Sequence, residues 1–429
     1  MRKIDSFIFF CAIGVATFSY AQENASEDPF LNKNSSKETI SSRDFEKELS
    51  EKSEISQSEK SETEKDRLQI GGYLSSELDY ARFNSLNFIS TPNTLSLYLD
   101  SKLRHDIRAY VLGRLIFNPS NDDKTVSPLT GQTLNKNTLL LDEMKLMFNL
   151  ENYVFLTVGK QKIKWGASKF WNPTDTLNQT QKDLFKSEDN RSGISMVKAN
   201  IPIFSSNLYL FGVLDNVTTA EQTKFAARFE LPISSAEFST SFVAQKDKKS
   251  VFNFDTSFAF FDFDFYSEFS YSRGSNGIHY SNGVQDNSYE NKDILKSSVG
   301  GNYEWKYNDK NTLIFGAEYF YNGDGYSNNK NYLTVILKQL YVPYYLSQNY
   351  LMGSVIAQNI FGWNDTNMSI FHITNVTDHS NILRFQWNSI FYRDLNVFAA
   401  VGYHYGNSNG EFTLLDQKLD ASVQVKVNI

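Results

Sequence analysis

Lys418-Leu419-Asp420-Ala421-Ser422-Val423-Gln424-Val425-Lys426-Val427-Asn428-Ile429 closes the chain on a strict two-residue alternation. Leu419, Ala421, Val423, Val425, Val427 and Ile429 take one face, and the polar residues between them take the other. One such strand fits a soluble sandwich as well as a membrane barrel, so the decision rests on repetition. From Gln69 to Ile429 the pattern recurs in about eighteen short runs, and the long connections follow odd-numbered runs. A bilayer offers no water to unpaired backbone groups. A spanning sheet must therefore close on itself, show apolar side chains to lipid and keep polar ones in its lumen.

The fold class that follows is all-β, a transmembrane antiparallel up-and-down β-barrel of about eighteen strands, with about sixteen as the alternative count. Strands are expected near 69–80, 93–103, 106–117, 138–150, 153–160, 191–201, 206–214, 222–232 and 235–246. The second half continues near 250–260, 262–273, 293–307, 311–321, 348–361, 366–375, 380–392, 395–405 and 418–429. Connections after even-numbered strands are tight, as at Glu151-Asn152, Ser234 and Arg393-Asp394. Those after odd-numbered strands include 118–137, 161–190, 274–292 and 322–347. Bacterial barrels keep short turns in the periplasm and long loops outside, which puts both termini of this chain in the periplasm.

Residues 1–21 read as a secretory signal peptide: Arg2 and Lys3, an apolar stretch from Ile8 to Phe18, then Ser19-Tyr20-Ala21 before Gln22. Cys11 has too few apolar residues ahead of it to be a lipidation site, and cleavage after Ala21 leaves no cysteine. Disulfides and thiol chemistry are thereby excluded. Residues 22–67 are rich in Glu, Lys and Ser, and read as a disordered or partly helical periplasmic tail. Ile40, Phe45 and Leu49 give only a broken apolar stripe. The barrel occupies 68–429. A plugged, energy-coupled receptor would need a folded plug domain that this tail does not provide.

Nowhere does the chain approach the run of about twenty apolar residues that a membrane helix requires. Its 35 Phe and 24 Tyr suit the aromatic girdles at the two edges of a barrel. A net charge of -7 argues against nucleic acid as a partner. The partners implied are outer-membrane lipid, the barrel-assembly machinery and small hydrophilic solutes, with a homo-oligomer left open.

Val158-Gly159-Lys160-Gln161-Lys162-Ile163-Lys164-Trp165-Gly166-Ala167-Ser168-Lys169-Phe170-Trp171-Asn172-Pro173-Thr174-Asp175 leaves a strand and enters the longest irregular segment of the first half. Asn190-Arg191-Ser192-Gly193 re-enters the next strand. These stretches resemble a porin-like outer-membrane family of Gram-negative type. There a strand ending in Gly-(Arg or Lys)-Gln runs on to Trp-Gly and an Asn- and Asp-containing loop, and similar segments occur in barrels that pass polysaccharides or anions. Ile429 departs from the terminal aromatic usual in such barrels. The resemblance implies a channel for passive diffusion of small hydrophilic solutes, with anions and saccharides as candidates.

Alternation places Glu77, Asp100, Arg108, Arg114, Lys145, Arg228, Glu268, Lys296 and Arg384 inside as pore-lining residues. Arg108, Arg114 and Arg384 form either a basic ladder or transverse salt bridges. For the segment after the fifth strand, Lys162, Lys164, Trp165, Lys169, Trp171 and Arg191 are the candidate constriction. Its lysines would attract anions and its tryptophans would either offer faces to sugar rings or pack the loop against the wall. The competing reading is a solvated basic rim. Residues 331–348 break the alternation, and Leu333, Ile336, Leu337 and Leu340 at helical spacing predict a helix or lid.

Catalysis finds little support, which leaves a barrel enzyme as the least favoured reading: the five histidines, at 105, 279, 372, 379 and 404, are scattered and have no recognisable partner for a nucleophile. No cofactor or metal site follows from so few histidines. The alternative to a channel is a surface adhesin or structural barrel.

Overall fold

The computed structural model describes residues 67–83, 87–104, 107–122, 134–178, 180–181, 183–185, 189–308, 311–360, 363, 365–391 and 394–429. The expected signal segment and nearly all of the expected tail lie outside the described residues. The wall begins with β1 (Leu68–Arg82), β2 (Asn87–Ser90, resuming as Asn93–Arg104), β3 (Ile107–Phe117), β4 (Asn137–Leu150), β5 (Val154–Gln161) and β6 (Ile194–Ile203). It continues with β7 (Ser206–Val213), β8 (Lys224–Ile233), β9 (Ala236–Ala244), β10 (Val251–Phe260), β11 (Phe263–Arg273) and β12 (Asp293–Lys306). The last third is β13 (Thr312–Asn322), β14 (Asn349–Gln358), β15 (Thr366–Asn375), β16 (Ser380–Phe391), β17 (Leu395–Gly406) and β18 (Leu419–Asn428).

Every neighbouring pair is antiparallel, and β1 closes the ring on β18 from Tyr73↔Asn428 to Arg82↔Leu419. The result is a closed, all-β barrel of 18 strands. β2 is interrupted at Thr91-Pro92 because proline has no N–H for the ladder. Its carbonyl still accepts from Glu77 N–H at 2.9 Å, so the strand resumes in register. The long connections join β3 to β4, β5 to β6, β11 to β12 and β13 to β14, the strand ends that parity assigns to one side.

The outer face carries the apolar half of each alternation: Leu74 and Leu78 on β1, Leu97 and Leu99 on β2, and Val423, Val425 and Val427 on β18 are exposed. Aromatics mark both edges. Phe204, Phe261, Trp305, Trp363 and Phe391 stand exposed by the short turns. At the opposite end the hydroxyls of Tyr80, Tyr271 and Tyr319 donate to Asn87, Asp293 and Asn349 on the adjoining strands. Apolar outside, polar inside and aromatic at both rims is the order that a bilayer imposes on a spanning sheet. Val423→Arg should therefore cost about 2–4 kcal/mol near the midplane, and the inward-facing Gln424→Arg should cost little. Urea unfolding in lipid vesicles measures both, and equal losses would show that the two faces do not see different solvents.

One register irregularity has consequences for the interior. Leu112 pairs with Glu143 but Gly113 pairs with Leu141, so Asp142 is an extra residue in β4. Such a bulge lets two consecutive side chains turn the same way. Asp142 and Glu143 are both buried, and both meet inward-facing cations.

Candidate functional site

Past Gln161 the ladder stops, and the chain from Lys162 to Gly193 turns into the barrel instead of continuing outward. The strand alternation that would set Lys162 and Lys164 on the face of Val158 ends with it. Trp165-Gly166 makes the entry. Gly166 has φ 97°, and a Cβ there would lie 2.2 Å from Glu268 Oε1, so only glycine fits. Two wall carboxylates then hold the segment by its backbone. Glu268 on β11 accepts from Ser168 N–H at 2.7 Å, Asn172 Nδ2 at 3.0 Å, Thr174 N–H at 3.1 Å and Thr174 Oγ1 at 2.7 Å. Glu318 on β13 accepts from Phe170 N–H at 3.0 Å and Trp171 N–H at 2.7 Å, and from Tyr266 OH and Ser298 Oγ on the wall at 3.0 and 2.8 Å. Both carboxylates are buried, Glu268 with 0% of its surface exposed, so these donors replace the water that each has lost.

Arginines fix the foot of the segment. Arg191 bonds Asp175 Oδ2 at 2.8 Å and Asp189 Oδ2 at 2.6 Å. Arg114 pairs with Asp142 across β3 and β4 and also donates to the carbonyl of Asn190 at 2.6 Å. Lys162 Nζ donates to the carbonyl of Asp189 at 2.8 Å, while Lys164 is exposed and Lys169 half-buried. Burial pushes the Asp175 carboxyl up despite the guanidinium of Arg191 beside it. For Asp189 burial acts in the same direction but is outweighed by the bonds and charge of Arg191, so its pKa falls.

Apolar packing closes the span. Trp165 lies edge-on to Phe211 with the Arg228 guanidinium 5.6 Å from its ring centre. Trp171, with 0% exposed, stacks on Phe320 at 5.5 Å and packs against Tyr350. Neither indole has a free face for a sugar ring. The segment's own need for a dry foothold on both walls has consumed them.

The other charges expected to line the pore, Glu77 apart, are ion-paired where they stand. Arg108 Nε bonds Asp100 Oδ1 at 2.6 Å, Lys145 meets Glu143 at 2.7 Å, and Lys296 meets Asp324 at 3.0 Å. Arg228 reaches Asp255 at 2.7 Å and Glu230 at 2.9 Å, and Arg384 pairs with Asp420. Glu77 accepts from Gln424 Nε2 at 3.3 Å. Arg108, Arg114 and Arg384 thus each face a carboxylate on an adjacent strand or across one, a geometry of transverse pairs. Among the described residues no group of three or more His, Cys, Asp or Glu side chains converges as a metal site.

Above the segment, the 323–348 connection contains the helix α1 (Tyr332–Leu337). It buries Tyr332, Val335 and Ile336 against Leu346 and Leu414, whereas Leu333, Leu337 and Leu340 of the expected stripe are exposed. The docking face was set by the neighbouring loops, not by the leucines. A further buried carboxylate, Glu411 in the 407–418 connection, clasps this loop. It accepts from Tyr344 N–H at 2.8 Å, Tyr350 OH at 2.5 Å and Asn375 Nδ2 at 3.0 Å. Asp378 shares the Asn375 amide at 2.9 Å and accepts Glu411 N–H at 2.8 Å. Alternation could mark Glu318 as inward, but nothing local in the sequence marks Asp142, Asp378 or Glu411.

No protein-family model matches the chain, and no curated protein does. Among solved structures the fold is similar to Acinetobacter baumannii OccAB4, with TM-score 0.56 and 11% identity over 85% of this chain and 98% of that one. Pseudomonas aeruginosa OccK11 (OpdR) matches with TM-score 0.56 and 9% identity over 84% and 96%. Pseudomonas aeruginosa OccK8 (OprE) matches with TM-score 0.53 and 10% identity over 84% and 98%. Likeness at such identities is one of fold.

Proposed function

We propose that this chain is an outer-membrane, porin-like channel through which small hydrophilic solutes diffuse passively. The observation that carries the reading is the 162–193 segment: a closed barrel with a polar interior, narrowed by a connection bonded to the far wall, is what a size-limiting pore requires. Lys162, Lys164 and Lys169 are the cations that this constriction would present, and Arg191 is the residue that holds its foot. Paired wall charges give a weak field, so selection by size would outweigh selection by charge. In this reading the long connections face outward, both ends lie in the periplasm, and the chain reaches the membrane through the barrel-assembly machinery.

Planar-bilayer recording of the purified barrel tests the channel. Stepwise currents are expected, and a folded barrel that passes none would turn the assignment to a structural barrel or surface adhesin. The second reading draws on one observation, the exposed Leu333, Leu337 and Val342 of the 323–348 connection. Epitope tags set the orientation: one within 274–292 should be labelled on intact cells, and one at Asp394 should not.

A further inference from the structure

The inner wall is covered unevenly. Over β6–β9 the segment packs through Trp165 and Leu177 onto Met196, Phe211, Val213 and Ala226. Over β13–β16 it packs through Phe170, Trp171 and Phe185 onto Phe320, Tyr350, Phe371 and Ile382. Its bonds to Glu268 reach the sector between, and most inward side chains on β6–β9 and β13–β16 are buried. The wall of β18, β1, β2 and β3 is mixed: Ser75, Ser96, Arg108, Arg114 and Ser422 are buried there too, but among the described residues no part of the inward segment packs on its aromatic side chains. There Gln424, Tyr73, Tyr98 and Tyr110 point inward by alternation and each keeps part of its surface open. Their ring neighbours come from the wall itself: Tyr98 and Tyr110 stack at 6.1 Å, Lys145 Nζ lies 4.9 Å from the Tyr110 ring centre, and Lys426 Nζ lies 4.4 Å from that of Tyr73.

We infer that solutes cross the barrel off-centre, along the wall formed by β18, β1, β2 and β3, and that Tyr73, Tyr98, Tyr110 and Gln424 are the side chains they pass. The inference rests on the channel reading above and adds a route to it. A path through the covered sectors would have to displace buried aromatic side chains and strip donors from two buried carboxylates. Along the open wall it passes side chains that already stand partly exposed. Phenolic hydroxyls and a carboxamide offer hydrogen bonds in both directions, and the two ion pairs beside them, Asp100–Arg108 and Glu143–Lys145, are balanced in place. That lining suits small solutes rich in hydroxyl groups and without net charge.

Cysteine accessibility tests the route, since the only cysteine of the sequence is Cys11. Tyr98→Cys and Gln424→Cys probe the open wall, and Ala226→Cys and Ser239→Cys probe the covered one. A charged thiosulfonate reagent added to single channels in a bilayer should lower the conductance of the first two and leave the second two unchanged. Block at the covered positions, or equal effects at all four, would overturn the route while leaving the channel intact. Absence of current from the folded, unmodified barrel would overturn the channel and the route together. In a potassium chloride gradient the unmodified channel should reverse near zero. Strong preference for either ion would overturn the assignment of uncharged solutes.

Discussion

Replacing Glu268 and Glu318 together by Ala should release the inward segment from the far wall, giving larger and noisier single-channel currents. It should also free the backbone around Lys162 and Lys169 for cleavage by trypsin in a barrel that is otherwise resistant. Glu268→Ala leaves the buried N–H groups of Ser168 and Thr174 without acceptors, and Glu318→Ala does the same to Phe170 and Trp171. Each orphaned donor costs about 1–3 kcal/mol, so the two changes together remove more than the aromatic packing of Trp171 can hold. The wall strands keep their own ladders, and heat-modifiable migration with an unchanged β-sheet circular dichroism spectrum would show that the barrel survives. Proteolysis reports on the segment whether or not the barrel conducts. Continued resistance of the double variant to trypsin would mean that these carboxylates do not hold the segment.

Raising the pH from 5 to 8 should loosen the clasp between the 323–348 and 407–418 connections. Burial, with Asp378 nearby, raises the Glu411 pKa from 4.5 to about 8, although Tyr350 OH and the Tyr344 amide bond its oxygens. Asp378 from the 376–379 turn, Tyr332, Tyr341 and Tyr344 from the 323–348 connection and Tyr350 from β14 are titratable groups around it. Because the closed state holds the proton more tightly than the open one, closure is strongest below the open-state pKa. It weakens by about 1.4 kcal/mol per pH unit as pH rises toward the closed-state value, and levels off above it. Amide hydrogen exchange of residues 323–348, corrected for intrinsic rates, should accelerate across this window. Glu411→Gln, neutral at every pH, should abolish the acceleration. A Glu411→Gln protein with the same pH slope would show that another group drives the opening.

Much of the barrel was legible along the chain because a strand's period of two is local. Once one face must meet lipid, the identity of alternate residues fixes the register, and every expected strand lies within a few residues of an observed one. Asp142 escaped because a bulge inserts one residue and reverses the face of its neighbour, a choice made by the pairing with β3 and not by β4. The helix in the 323–348 connection was visible by spacing, yet its buried face was not. Tyr332, Val335 and Ile336 dock on Leu346 and Leu414, from loops that the helix meets only in the fold.

By itself the sequence determined the all-β class, the strand positions and the parity of long and short connections. Each of these depends on neighbours one or two residues apart. Only the tertiary structure decided the course of the 162–193 segment, the burial of both its tryptophans and the partners of the wall cations. Glu268 and Glu318 lie about 100 and 150 residues beyond the amides they accept, at sequence separations of 100 for Ser168 and 147 for Trp171. The physical reason is that a carboxylate's worth as an anchor depends on which donors close around it once water has gone, and the closing of the ring brings those donors to it.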